Sequence, residues 1–205
     1  GQLVTHAKDL GLVTSLVTNG FRLDALLDEY GEHLNWVGLS VDSACEETQR
    51  ALGRGLGGHV EQTRRLATRC REACVRIKLN TVVTALTWEE DMGALIRALA
   101  PERWKAFQVL PMKGQNDERV APLLIEPWQF DAFIERHREL DPIVENNDAM
   151  RGSYIMVDPL GRFFGNATGT HVYSDPILEV GVEAALAQVG FREEKFEARG
   201  GRYAW

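Results

Sequence analysis

Lys78 and Asn80 stand two residues apart in a run, 75–83, whose alternate positions are Val75, Ile77, Leu79, Thr81 and Val83. Successive side chains of a strand point to opposite faces, so one face here is apolar and the other carries Arg76, Lys78 and Asn80. Residues 36–42 repeat the pattern, with Val37, Leu39 and Val41 set against Gly38, Ser40 and Asp42. A cation and an amide inside a covered sheet cost free energy unless water or a polar ligand satisfies them, and a phosphorylated or carboxylated ligand suits such a face. Lys105, in the strand-like Trp104-Lys105-Ala106-Phe107-Gln108, adds a second positive charge to the same cavity. Alternatively its ammonium snorkels to the surface at a strand end. Lys78 in a barrel interior also admits Schiff-base chemistry, and an antiparallel sheet with one solvated face would produce the same alternation.

Other candidates are less specific. Gly53-Arg54-Gly55-Leu56-Gly57-Gly58 precedes a helix whose first N–H groups can face an anion, although it matches neither Walker A nor a dinucleotide fingerprint and also reads as a flexible loop. Arg199-Gly200-Gly201-Arg202-Tyr203 either frays as a basic terminus or folds closely over phosphate oxygens. Cys70 and Cys74 are spaced to share one helix face, but no third thiolate follows at cluster spacing, which favours buried free thiols. The five histidines form no His-x-x-x-His pair, and Glu89-Glu90-Asp91 reads as an acidic first helical turn. No metal site is expected from these residues.

The elements that position these groups follow from periodicity. Apolar, β-branched runs at 12–18, 36–41, 75–83 and 104–110 alternate with amphipathic segments at 22–30, 59–73 and 89–99. Connections of this length imply right-handed βαβ crossovers and a parallel sheet, hence an α/β class. Thr87-Trp88-Glu89-Glu90 has the capping-box pattern, and a further helix is expected from Pro127 to about His137. Beyond residue 140, runs at 154–157 and 162–164 around Asp158-Pro159 and Gly161 suggest a hairpin, and 177–187 a last helix. The expected organisation is βα units over 1–140 and a C-terminal extension over 141–205. Leu3, Ala7 and Leu10 repeat at helical spacing without a cap signal, which predicts a chain that starts inside an element.

The 205 residues carry a net charge of −7, with 44% hydrophobic and 26% charged residues, values for one globular domain rather than a disordered chain. An acidic protein has no general field for nucleic acid, so an anionic ligand must meet local positive charge. Three cysteines are too few for a disulfide framework, and no apolar run approaches the roughly 20 residues that span a bilayer. A cytoplasmic protein with neither nucleic-acid partner nor membrane segment is expected.

Taken in order, Leu16-Val17-Thr18-Asn19-Gly20, Leu39-Ser40-Val41-Asp42-Ser43, Gly53-Arg54-Gly55, Lys78-Leu79-Asn80-Thr81-Val82, Arg103-Trp104-Lys105-Ala106-Phe107-Gln108, Ser153-Tyr154 and Arg199-Gly200-Gly201-Arg202-Tyr203 resemble the viperin-like branch of the radical S-adenosylmethionine enzymes. The resemblance covers nearly the whole chain, and Arg-Trp-Lys-x-Phe-Gln with the Arg-Gly-Gly tail is its most specific part. It implies a partial (β/α)6 radical barrel lacking its N-terminal units, with a C-terminal extension closing a nucleotide site. It also implies S-adenosylmethionine, a [4Fe–4S] cluster and an external electron donor. The implied reaction is abstraction of the ribose 4′ hydrogen and loss of the 3′ hydroxyl from a nucleoside triphosphate, CTP foremost. Its 3′-deoxy-3′,4′-didehydro product is an antiviral chain terminator. By motif, Ser40 and Arg54 look like S-adenosylmethionine contacts, Lys78, Asn80, Lys105 and Arg199 like nucleotide contacts, and Tyr154 like the tyrosine that donates hydrogen late in the reaction. The family's Cys-x-x-x-Cys-x-x-Cys loop and Gly-Gly-Glu-Pro segment are not among these residues and are expected upstream of Gly1. A non-catalytic nucleotide-binding module and a Schiff-base lyase centred on Lys78 are the competing function classes.

Overall fold

The computed structural model describes residues 1–201. Five strands, β1 (Ser15–Thr18), β2 (Trp36–Ser40), β3 (Arg76–Val83), β4 (Arg103–Gln108) and β5 (Ile143–Glu145), form one sheet in chain order. Every neighbouring pair is parallel, which excludes the antiparallel alternative. Helix α1 (Gln2–Asp9) precedes β1 and α2 (Leu23–Tyr30) follows it. The next crossovers carry α3 (Glu46–Ala51) and α4 (His59–Glu72), then α5 (Gly93–Leu99), then α6 (Asp117–Val120) and α7 (Pro127–Arg136).

The apolar parity read from the sequence lies under these helices. Val37, Leu39, Ile77, Leu79, Trp104 and Ala106 are buried, against Leu23 and Leu27 of α2, Leu66, Ala67 and Cys70 of α4, Leu95 and Leu99 of α5, and Phe130 and Phe133 of α7. Each such Leu, Ile or Phe contributes about 1.5–3 kcal/mol by leaving water, so this layer holds the strands in register. In α4 the buried positions Val60, Thr63, Ala67 and Cys70 recur at helical spacing. Helix α7 starts where Pro127 predicts, with Glu126 and Gln129 closing a capping box.

Several local expectations are corrected. Strand β1 begins at Ser15 rather than residue 12, because Leu12 and Val13 are exposed and Thr14 is tied to Asn35 through its N–H at 3.0 Å. Glu89 and Glu90 are not a first helical turn: α5 begins only at Gly93, whose N–H donates to the Asp91 carboxylate at 2.7 Å. Thr87 caps no helix but accepts the Thr84 N–H at 3.0 Å, while Glu90 accepts the Ala44 N–H at 2.7 Å. Cys70 and Cys74 do not share a helix face, because α4 ends at Glu72 and Cys74 takes a left-handed φ of 56°. Cys74 is exposed, whereas Cys70 is buried and its thiol is pushed up to about 11 by desolvation.

The parallel sheet extends past residue 140, to Glu145. After α8 (Asn147–Met150), strands β6 (Met156–Val157), β7 (Arg162–Gly165) and β8 (Val172–Pro176) form an antiparallel sheet, so the expected hairpin is present with an additional third strand. The helix expected over 177–187 is two helices, α9 (Ile177–Val180) and α10 (Val182–Ala187), separated by Gly181 at φ 84°, which a side chain would disfavour. Helix α11 (Glu193–Ala198) then leads to Arg199. Of the expected Arg-Gly-Gly tail, Arg202 and Tyr203 lie outside the described residues. No helix among the described residues is long and apolar enough to cross a membrane.

Candidate functional site

The polar parity forms a row across the sheet. Ser40, the last residue of β2, is the register partner of Asn80 on β3, and Asn80 is the partner of Lys105 on β4. One step toward the strand starts, Gly38 pairs with Lys78 and Lys78 with Arg103. Gly38 makes room for the lysine, since a Cβ there would stand 3.2 Å from Lys78 Cε and 2.9 Å from Val17 Cγ2. Lys78 is half-buried on this path.

At the carboxyl ends of the strands, where open and barrel α/β sheets bind ligands, a cavity of about 430 Å³ is lined by Ser40, Arg54, Asn80, Phe107, Asn116 and Met150, among others. A second cavity, of about 390 Å³, adjoins it through Arg54, Val82, Val109 and Asn116 and reaches Asp42. Both volumes are in the range of small-molecule sites. Ser40, Arg54 and Asn80, nominated separately by sequence, thus meet in one place. Arg54 is held there by Asp42, which accepts from its Nε at 2.8 Å and from the Val82 N–H at 2.9 Å. The Asn80 Oδ1 is buried and has no hydrogen-bond partner among the described residues, which suits a bound group bearing donors. The roof is shaped by Asn116, which donates to the Leu110 carbonyl at 3.1 Å and accepts the Met112 N–H at 2.7 Å. His59 Nε2 donates to the Ser40 carbonyl at 2.8 Å and fixes the end of β2.

The start of α4 is not an open anion site. Glu46 accepts the N–H groups of His59 and Val60 at 2.8 Å each and of Glu61 at 3.3 Å, so its own carboxylate occupies the helix N-terminus. The glycine-rich run therefore delivers Arg54 rather than a phosphate cradle.

Lys105, Tyr154 and Arg199 converge on a residue that sequence reasoning missed. Glu145, fully buried on β5, accepts from Lys105 Nζ and Arg199 Nη1 through Oε1 and from the Tyr154 hydroxyl through Oε2. The Arg199 contact is 3.2 Å, and its Nη2 donates to the Ser153 carbonyl at 2.9 Å. The guanidinium carbon lies 3.9 Å from the Tyr154 ring centroid. Lys105 is buried and its ammonium does not snorkel. Arg103 Nη2 donates to the Gly200 carbonyl at 2.9 Å, tying the residues after α11 to β4. Among the described residues no three His, Cys, Asp or Glu side chains are grouped to hold a metal ion.

No protein-family model matches the sequence. Over 209 residues the chain is 40% identical to the S-adenosylmethionine-dependent nucleotide dehydratase of Flammeovirga pacifica, covering all of this chain and 72% of that protein. The chain belongs to the S-adenosylmethionine-dependent nucleotide dehydratase family. A dehydratase of the same name from Lacinutrix mariniflava is also 40% identical, with all of this chain matching 44% of its length, and one from Danio rerio is 38% identical, with 60% covered. The chain thus spans less than two thirds of two of these three relatives. Its fold matches coproporphyrinogen III oxidase from Escherichia coli, a radical S-adenosylmethionine enzyme, at a TM-score of 0.54 and 15% identity over 87% of the chain and 51% of that structure. A domain of pyruvate-formate lyase-activating enzyme from Bacteroides vulgatus gives 0.52 and 11% over 71% and 88% respectively. The five-stranded parallel sheet and its helices therefore share the fold of these two enzymes.

Proposed function

We propose that this chain is the nucleotide-binding portion of a radical S-adenosylmethionine dehydratase that converts a nucleoside triphosphate, CTP foremost, to its 3′-deoxy-3′,4′-didehydro form, a chain terminator of viral RNA synthesis. The observation that carries the proposal is one continuous polar path on the inner face, from Ser40, Arg54 and Asn80 in the cavity to Lys105, Arg199 and Tyr154 beside it. An acidic protein neutralises a triphosphate only where cations are gathered locally, and Lys78, Lys105 and Arg199 are those cations.

Ser40, Arg54 and Asn80 are the residues that would hold S-adenosylmethionine and the adjoining sugar. The cofactor, when bound, supplies a hydrogen-abstracting 5′-deoxyadenosyl group. The cysteines of this chain do not fit the iron–sulfur cluster, because Cys70 faces the core while Cys45 and Cys74 are exposed on separate segments. The chain's own residues do the rest of the work. Lys105 and Arg199 bind phosphate charge, Asn80 orients the nucleotide by its amide, and Tyr154, whose hydroxyl is held by Glu145, is the residue that would donate hydrogen to the sugar.

The test is anaerobic turnover by the full-length protein with its cluster reconstituted, supplied with S-adenosylmethionine, a reductant as external electron donor and each nucleoside triphosphate in turn. One triphosphate, CTP, is expected to stimulate release of 5′-deoxyadenosine strongly and to yield the dehydrated nucleotide. No stimulation by any triphosphate, with the cluster intact, would sink the catalytic proposal and leave a nucleotide-binding module.

A further inference from the structure

We propose that Glu145 is the positioning residue of the nucleotide site, holding the Tyr154 phenol, the Lys105 ammonium and the Arg199 guanidinium in one fixed arrangement. The inference rests on the nucleotide reading above and adds a residue with a distinct task. Glu145 does not line the cavity. It sits one strand behind it, as the register partner of Phe107, just as Lys105 is the partner of Asn80, and both Phe107 and Asn80 face the cavity.

A fully buried carboxylate is retained only where donors compensate its lost hydration. Here three donors do so, from β4, from the segment before β6 and from the residue after α11. These segments are remote in sequence, and Glu145 is where all three meet. Accepting from the phenol sets the direction of the Tyr154 O–H, because a hydroxyl has one hydrogen to donate. Stacking of Arg199 at 3.9 Å fixes the plane of the ring. Tyr154 is thus held by a carboxylate at its tip and a guanidinium on its face. Two cations and one carboxylate leave the cluster one positive charge, so Glu145 also keeps Lys105 and Arg199 from repelling each other in a low-dielectric pocket.

Glu145→Gln preserves side-chain size and removes the charge. In the full-length reconstituted enzyme, dehydrated nucleotide formed per 5′-deoxyadenosine released should fall by about fivefold or more. The KM for the triphosphate should change less than kcat, and Glu145→Asp should recover part of the lost ratio. An unchanged product ratio, or equal loss of both products, overturns the proposal. A second measurement needs no turnover: the fluorine resonance of 3-fluorotyrosine placed at position 154 should shift in Glu145→Gln and return toward wild type in Glu145→Asp. An identical resonance in all three proteins overturns the positioning role. If Glu145→Gln does not fold, Glu145→Asp alone is compared with wild type: the shorter acid keeps the charge but withdraws the acceptor, so its product ratio and fluorine resonance should lie measurably off wild type, and values identical to wild type overturn the proposal. A fluorine shift in an enzyme that ignores every triphosphate would refute the proposed function while supporting the positioning role, so the two failures are distinguishable.

Discussion

Replacing Lys105 with methionine tests whether the polar cluster is part of the folded core or an ornament on it. Lys105 and Glu145 have side chains 5% and 0% exposed, and their ion pair lies on the inner face of the sheet. Removing one partner of a buried pair costs about 3–5 kcal/mol, because the other charge is left without compensation. Glu145 retains Arg199 and the Tyr154 hydroxyl, which puts Lys105→Met near the lower end, about 3 kcal/mol. For a chain of this size roughly 2–4 °C is lost per kcal/mol, so the melting temperature should fall by about 6–12 °C. Thermal unfolding followed by circular dichroism reads this directly, and the double variant Lys105→Met/Glu145→Gln completes a cycle. With the carboxylate neutralised, loss of the ammonium should cost less, and the coupling should exceed roughly 1 kcal/mol. A single variant that melts within about 2 °C of wild type, or losses additive within about 0.5 kcal/mol, would refute the claim that these two charges compensate each other.

Two further outcomes follow from buried titratable groups. Desolvation raises the Cys70 thiol to about 11, and the side chain is buried, so an alkylating reagent at pH 8 should modify Cys45 and Cys74 in the native protein and Cys70 only after unfolding; mass mapping that finds Cys70 modified first contradicts the packing of α4. Burial lowers the pKa of His137, outweighing the opposing Phe133 carbonyl and Asp91 carboxylate. Its Nε2 accepts the Met92 N–H at 2.9 Å and its Nδ1 donates to the Phe133 carbonyl at 2.8 Å, so the folded ring is neutral. The unfolded chain binds this proton first as pH falls, so stability decreases from about 6.5 downward to the lowered folded value, by at most about 1.4 kcal/mol per pH unit for one proton. Urea titrations from pH 7 to 5 should show that slope shrinking in His137→Gln, and an unchanged slope would exclude His137 as its source.

The sequence by itself determined the α/β class, the crossovers and the polar inner face. Strand parity has a period of two residues and helix burial a period of 3.6, both local enough to read from spacing. That is why Ser40, Lys78, Asn80 and Lys105 could be nominated from their own strands, and why 59–73 could be read as an amphipathic helix. Local signals failed where a tertiary contact outcompeted them. Glu90 left the capping pattern for the Ala44 N–H, and Glu46 took the N-terminus of α4 that the glycine-rich run had appointed for an anion. Residues 143–145 were too short to show a period, so neither the fifth strand nor Glu145 could be recognised. Only the tertiary structure brought Lys105, Tyr154 and Arg199 to that carboxylate. A buried charge chooses its partners by distance in space and by the lack of water to replace them, and neither quantity is written in the spacing of residues along the chain.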